Sequence, residues 1–335
     1  MEMNLSKVKK KTGLLLVNFG GPREASEISS FLQSLLCDQE VIRTPLPGFL
    51  HRLLFTLIAK KRAKKVLPDY EEIGGKSPIY LDTENVATSL RKLLPYPVYT
   101  FHRYLPKTHP AFIKRTVLAD IDEWMVFPMF PQFSYATTGS IARWFSESLP
   151  KNVHSQIFWL KSYANEAAYV NLFAARIRDF IREKNLEEKD CFLFFSAHGI
   201  PKRFVEQGDP YQRECELSFE AISNQFKEAG AILAYQSKFG PGEWLRPYTI
   251  DMCVEIDKHA LNKKHVIFIP LAFTSDHLET LFEIESDYMP IVEEKGYKAF
   301  RLPAFNDKAD WTQTIAKLIH GTVQYIPNQM LLRKK

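Results

Sequence analysis

The sequence predicts an α/β protein with parallel sheets, made of two versions of one unit. Three observations carry that expectation. Four short apolar runs stand out: GLLLVNF (13–19), EWMVFPMF (123–130), CFLFFSA (191–197) and HVIFIPLAF (265–273). Each precedes a turn-rich or polar segment, as strands buried on both faces do. Helix-like stretches such as NEAAYVNLFAARIRDFIREK (165–184) lie between them, and strands alternating with helices indicate parallel sheets. The runs also pair with each other. VNFGGP resembles FSAHGIP, with Asn18 and Ser196 178 positions apart; FPMFPQFS resembles IPLAFTS, with Pro128 and Pro270 142 apart. The unequal offsets place an insertion in the first half, near 42–78.

Composition narrows the class. The 335 residues suffice for two domains, and 45% apolar with 25% charged residues suits a globular protein. A net charge of +5 is too mild to mark a nucleic-acid binder. Cys37, Cys191, Cys215 and Cys253 are widely spaced with no CxxC. That argues against a zinc ribbon or a disulfide framework and for reduced thiols in a cytosolic protein. The basic start runs into about six apolar residues that end in Gly-Gly-Pro, which reads as a first strand rather than a signal peptide. No run reaches the roughly 18 apolar residues of a spanning helix.

The insertion contains PGFLHRLLFTLIAKKRAKK. Leu50, Leu53, Leu54, Leu57 and Ile58 fall on one helix face, followed by Lys60, Lys61, Arg62, Lys64 and Lys65. An ordinary core helix with a basic last turn fits this pattern. So does a greasy, cationic lip for an apolar anionic ligand or an anionic membrane. Next, FPQFSYATTGS (130–140) sets hydroxyls, Ser134 among them, after a strand, where they cradle an anion or cap a helix. It has no GKS or GKT, and FGGP lacks GxGxxG, so nucleotide binding is disfavoured.

In FFSAHGIPKRFVEQGDPY (194–211), His198 stands at the carboxyl end of a strand, where ligands of parallel sheets bind. Imidazole takes protons near neutral pH or binds metal; a structural histidine is the plainer alternative. YQSKFGPGEWLRPYT (235–249) presents Trp244 on a loop, for core packing or a planar ligand. Finally, FTSDHLETLFEIESDY (273–288) opens a helix crowded with acids. Asp276 and Glu279 have capping-box spacing. Glu279, Glu283 and Asp287 are four apart and form a stripe that attracts a divalent cation or relays protons.

Taken together, LVNFGGP, AKKR, EEIGGKSPI, HRY, PQFSYATTGS, SAHGIP, GDPY, QSKFGPGEWLRP and AFTSDHLETLFEIE resemble the blocks of the ferrochelatases, in the same order. These enzymes insert ferrous iron into a porphyrin. The resemblance implies two similar Rossmann-like (chelatase-type) domains, each with a parallel sheet flanked by helices, and an active-site cleft between them. The expected division is 1–160 plus 307–335, with a porphyrin-lip insertion near 42–78, and 161–306, carrying the histidine and acidic helix. By resemblance, His198 is the active-site histidine and Glu279 the acid facing it across the porphyrin, both able to touch metal. His277, Asp276, Glu283 and, more loosely, Asp287 match a polar relay. Arg103 and Tyr104 match a pair on the opposite wall. Trp244 and Phe273 match aromatics near the macrocycle, and Ser77 with 60–65 a propionate region.

Phe19 departs from the Met or Tyr of many relatives. Tyr there accompanies coproporphyrin and Met protoporphyrin; Phe19 has no oxygen ligand, which favours protoporphyrin IX, with coproporphyrin III the alternative. The expected substrates are that porphyrin and Fe²⁺, in the last step of haem biosynthesis. No cofactor beyond substrate iron is implied, and the tail after Cys253 lacks cysteines for an iron–sulfur cluster. A non-enzymatic porphyrin or haem carrier, or a chelatase for another metal, would share parts of this pattern. Partners left open are peripheral membrane contact through 49–65 and an upstream haem-pathway enzyme. The expected location is cytoplasmic, with a peripheral position on the inner face of the membrane left open.

Overall fold

A computed structural model describes residues 10–321 and 324–334. The outer ends of the expected first domain, and the basic start of the chain before Lys10, lie outside the described residues. Among the described residues nine strands form two sheets: β1 (Thr12–Asn18), β2 (Val98–His102), β3 (Glu123–Pro128), β4 (Ile157–Leu160), β5 (Cys191–His198), β6 (Gly230–Gln236), β7 (His265–Pro270), β8 (Lys298–Arg301) and β9 (Tyr325–Pro327). The first sheet has the order β2-β1-β3-β4-β9 and the second β6-β5-β7-β8. All pairings are parallel except β4 with β9.

The two sheets are one design used twice, as expected. The first strand of each half lies between its second and third, so β1 and β5 are equivalent, as are β3 and β7. These four are the apolar runs read from the sequence. Their side chains are almost all buried because helices cover both faces. The carboxyl ends of β1 and β5 carry Asn18 and His198. In each sheet the strand order reverses beside that central strand, which is where crevices form. One apolar cluster, with Leu14, Leu16, Phe127, Phe195, Ile267 and Trp311 among its members, runs through both halves.

The halves differ between their first and second strands. The first half has α1 (Ile28–Leu36), α2 (Gly48–Glu72) and α3 (Ile79–Leu93) there. The second has only Lys202–Glu206 and Tyr211–Ser223. α2 lays His51, Phe55, Ala59 and Tyr70 inward, packing with Ile28, Leu32 and Leu36 of α1. Its other face is open: Phe49 is 73% exposed, Leu53 61% and Leu57 59%. The core-helix reading of the Leu50, Leu53, Leu54 and Leu57 stripe is therefore corrected; that stripe points to solvent. Among the described residues no helix is long and apolar enough to cross a membrane.

Candidate active site

β5 and β7 are neighbours in register, so side chains leaving their carboxyl ends meet. His198 Nδ1 lies 2.8 Å from Glu279 Oε2. His277 Nε2 approaches the same oxygen at 3.7 Å. The Phe273 ring stands 6.5 Å from the His198 ring and 4.5 Å from that of His277. The expectation that His198 and Glu279 face each other across a macrocycle is thus corrected: adjacent strands put both on one wall, in hydrogen-bond contact. The His198 turn is shaped by Gly199, where a Cβ would meet the Gln236 carbonyl at 2.9 Å and Trp244 Cε3 at 3.4 Å. Trp244 is buried and bridges Pro201, so it packs behind the histidine turn.

The charges on this wall are set by competition. Burial works to raise the Glu279 carboxyl, but His198 and then His277 outweigh it and hold it well below the usual carboxylate range. Burial works to lower the His198 imidazole; the Glu279 carboxylate outweighs that and raises it above 6.5. One turn further on, burial and then the Glu279 charge push Glu283 up to about 7. Ser237 Oγ donates to Glu283 Oε2 at 2.5 Å, and Gln236 Nε2 reaches the same oxygen at 3.3 Å. Two nearby carboxyls driven apart in this way separate an ionised partner from a proton carrier.

That shift has a measurable sign. Glu283 keeps its proton in the fold up to about pH 7 but releases it near its ordinary value of 4.5 when unfolded. Between these values the unfolded chain binds fewer protons, so stability falls as pH rises. Glu283→Gln should abolish this share of the slope, converging with wild type toward pH 4.5 and melting above it beyond pH 7. Thermal midpoints of the two proteins across that range check it. Coincident midpoints on the alkaline side would refute the buried, protonated acid.

Glu279 and Glu283 project from an i→i+5 bonded helix, Glu279–Tyr288. Such π-helical turns are rare and frequent at functional sites. No capping box forms at its start. Glu279 is drawn to His198 instead, and the Asp276 amide donates to Asn306 Oδ1 at 2.7 Å. The Asp276 carboxylate is buried and accepts from Arg301, Thr280 and Asn306. It fixes the turn and does not touch Glu279. Asp287 is exposed, and burial, then Asp69 and Glu72, raise its carboxyl.

A second group gathers on the first half. Phe19 lies 5.1 Å from Tyr104 and 4.9 Å from Phe130, ring to ring. The Arg103 guanidinium pairs with Asp38 Oδ2 at 2.6 Å. Tyr104 is fully buried with its hydroxyl on the same oxygen, so it supports Arg103 and Phe19 rather than facing the cleft. Ser77 abuts the FGGP turn, where a Cβ on Gly21 would come within 2.5 Å of it. The hydroxyl loop 130–140 does receive an anion, but an internal one. Ser134 Oγ and the Tyr135 amide donate to Asp209 at 2.9 Å, and the Phe133 amide to Glu214 at 2.6 Å. Ser134 is therefore corrected from a substrate contact to a joint between the halves, and it also caps the following helix, as the alternative reading had it, its Oγ accepting from the Ala136 amide at 3.1 Å.

Sequence reasoning missed Asp38, Gln236, Ser237 and Tyr70. Tyr70, buried on α2, has its hydroxyl pushed up by burial and by the Glu279 charge, which sets that helix beside the acid. Arg62 of α2 stacks 4.1 Å over Phe239 of the second half. Of these residues, Gln236, Ser237 and Tyr70 fall within or beside recognisable blocks, while Asp38 carries no pattern.

Comparison with known proteins agrees with this layout. The family model described as ferrochelatase matches residues 11–323. A ferrochelatase of Chlamydia caviae is 46% identical over 308 residues, covering 92% of this chain and 95% of the relative. One of Chlamydia pneumoniae is 43% identical over 317 residues, covering 95% of each. Among solved structures, SirB from Bacillus subtilis with Fe³⁺ aligns with a TM-score of 0.51 at 10% identity, over 93% of this chain and 96% of that one. CbiX, the terminal enzyme of sirohaem biosynthesis in denitrifying bacteria, aligns at 0.50 and 13%, over 94% and 100%. At such identities these two share the fold.

Proposed function

The chain belongs to the ferrochelatase family, enzymes that insert a metal into a porphyrin, and on that premise we propose that it inserts Fe²⁺ into protoporphyrin IX. The reaction, of the lyase class, forms protohaem and releases two protons, and it uses no cofactor beyond substrate iron. The observation that carries this reading is the half-buried, hydrogen-bonded His198–Glu279 pair with Glu283 behind it. As iron enters, each of two pyrrole nitrogens must lose a proton. His198 accepts one when its imidazole is neutral and is left as imidazolium against the ionised Glu279, which stabilises that charge, and the second passes to the ionised fraction of Glu283 or to water. Glu283, with a pKa of about 7, holds or hands on a proton near neutral pH. His277 and Phe273 flank the path.

Phe19 supports protoporphyrin. It gives the substrate an apolar ring with no oxygen donor, packed on Tyr104 and Phe130. The test is anaerobic Fe²⁺ insertion followed by absorbance, with protoporphyrin IX and coproporphyrin III offered separately. Multiple turnovers with a higher kcat/KM for protoporphyrin are expected. Preference for coproporphyrin would overturn the substrate assignment. Stoichiometric binding without turnover would overturn the enzyme and leave a carrier.

The exposed face of α2 supports peripheral membrane contact on the cytoplasmic side. Phe49, Leu53 and Leu57 stand open beside Lys60, Lys61 and Lys64. Each buried large apolar side chain is worth roughly 1.5–3 kcal/mol, and each basic residue near an anionic surface about 1 kcal/mol. Replacing the three apolar residues by serine should abolish co-sedimentation with anionic vesicles, and salt should weaken wild-type binding. Unchanged sedimentation of the triple variant would remove the membrane from the proposal.

A further inference from the structure

The wide helix that carries Glu279 and Glu283 raises the question of what holds it. An i→i+5 helix is uncommon, and isolated turns of it persist only where their surroundings favour them. Here the surroundings are specific. Arg301, the last residue of β8, is nearly buried, with a side chain 10% exposed. Its Nη1 donates to Asp276 Oδ1 at 2.7 Å and its Nε to Glu285 Oε1 at 2.6 Å. One guanidinium thus ties the turn before the helix to the middle of it, with His277, Glu279 and Glu283 between the two anchors. From the opposite side, Gln236 Nε2 takes the Glu279 carbonyl at 2.8 Å.

We propose that Arg301 is a positioning residue for metal insertion: its forked contact with Asp276 and Glu285 sets the rotation and width of the helix that presents Glu279 to His198. This rests on the insertion reading above and deepens it. The guanidinium suits the task because its donors lie in a rigid plane, so two carboxylates bound to it hold a fixed separation and direction. Asp276 is held outside the helix by Asn306 at two points and by the Ala304 amide at 3.4 Å, while Thr280 in the helix's first turn donates to it at 2.9 Å. The fixed end of the clamp is therefore Asp276, and Glu285 is the end that transmits it to the middle of the helix. A lysine would keep a cation beside the buried Asp276 but has a single ammonium on a flexible stem. It can serve one carboxylate and cannot define the angle between two.

The experiment compares the full chain with Arg301→Lys and Glu285→Gln. It reads the thermal midpoint, amide hydrogen exchange over 279–288, and kcat and KM for porphyrin. Arg301→Lys should fold, with a midpoint near wild type. Exchange over 279–288 should rise about tenfold or more and kcat should fall about ten- to a hundredfold, the range expected for misplacing a reacting group by about 1 Å. KM for porphyrin should stay within about twofold, because the other wall is untouched. Glu285→Gln keeps an oxygen acceptor, so it should move kcat and exchange in the same direction by a smaller factor. Wild-type exchange and kcat in Arg301→Lys would overturn the proposal. So would a rise in KM equal to the fall in kcat. Wild-type protein that inserts no metal would instead overturn the insertion reading, and exchange in the same variants would still decide whether Arg301 fixes the helix.

Discussion

His198→Ala is expected to lower kcat for iron insertion by about 10²–10⁴, the range for loss of a positioned acid–base group. The direct loss is the proton acceptor at the carboxyl end of β5. The indirect loss is at Glu279. That carboxyl is held low by His198 and then by His277, against its burial. Without the imidazole 2.8 Å away, the first of these opposing partners is lost and the acid shifts upward. Both members of the pair then fail together, so His198→Ala and the double variant with Glu279→Gln should be nearly alike rather than multiplicative. Porphyrin KM should change little, since the wall of Phe19 and Arg103 on the first half is untouched. The side chain is 37% exposed, and so the fold should survive the truncation. Anaerobic absorbance at saturating porphyrin measures the effect. Undiminished kcat in His198→Ala would move the essential base to Glu279 and Glu283.

Much of this layout is legible in the sequence, and the reasons are physical. The central strands β1, β3, β5 and β7 are buried on both faces, so they read as unbroken apolar runs. Apart from the short IFWL of β4, the other strands do not. VYTFH, GAILAYQ and KAFR are short or mixed because they lie at or near sheet edges, with part of each side chain row half-exposed. β9 is three residues long and pairs antiparallel, which no periodicity announces. The site shows the same division. His198, Glu279 and Glu283 carry local signals: a polar group at a strand's end, or acids at a repeated spacing. Their mutual geometry does not, because it depends on β5 and β7 being neighbours. Capping chemistry for Asp276 and Glu279 was a sound local reading, and a tertiary partner overrode it in each case. The hydroxyl loop likewise looked like an anion cradle and is one, but its anions come from Asp209 and Glu214 of the other half.

Asp38 shows what such tertiary dependence implies for stability and substrate binding. Its Oδ2 accepts from Arg103 Nη2 at 2.6 Å, Tyr104 Oη at 3.0 Å and Ser140 Oγ at 2.5 Å, and Oδ1 accepts the Glu40 amide at 2.8 Å. Arg103 and Asp38 side chains are only 14% and 6% exposed. Asp38→Ala leaves that guanidinium without its anion and a fully buried phenol with Ser140 Oγ, at 3.2 Å, as its remaining partner. Breaking one side of a buried pair costs about 3–5 kcal/mol, and at about 2–4 °C per kcal/mol for large domains the thermal midpoint should fall by roughly 10 °C. Asp38→Asn keeps the oxygen acceptor but loses the charge, and it should recover part of that loss. Because Asp38 organises the wall carrying Phe19, Arg103 and Tyr104, the kinetic effect in Asn should appear as a higher porphyrin KM with kcat less affected. That is the reverse of the pattern expected at Arg301, whose proposed role is to hold the helix bearing Glu279 and Glu283. Calorimetry with steady-state kinetics on Asp38→Asn and Asp38→Ala separates the two. A midpoint within about 2–4 °C of wild type in the alanine variant, with unchanged KM, would show that Arg103 and Tyr104 hold their places without Asp38.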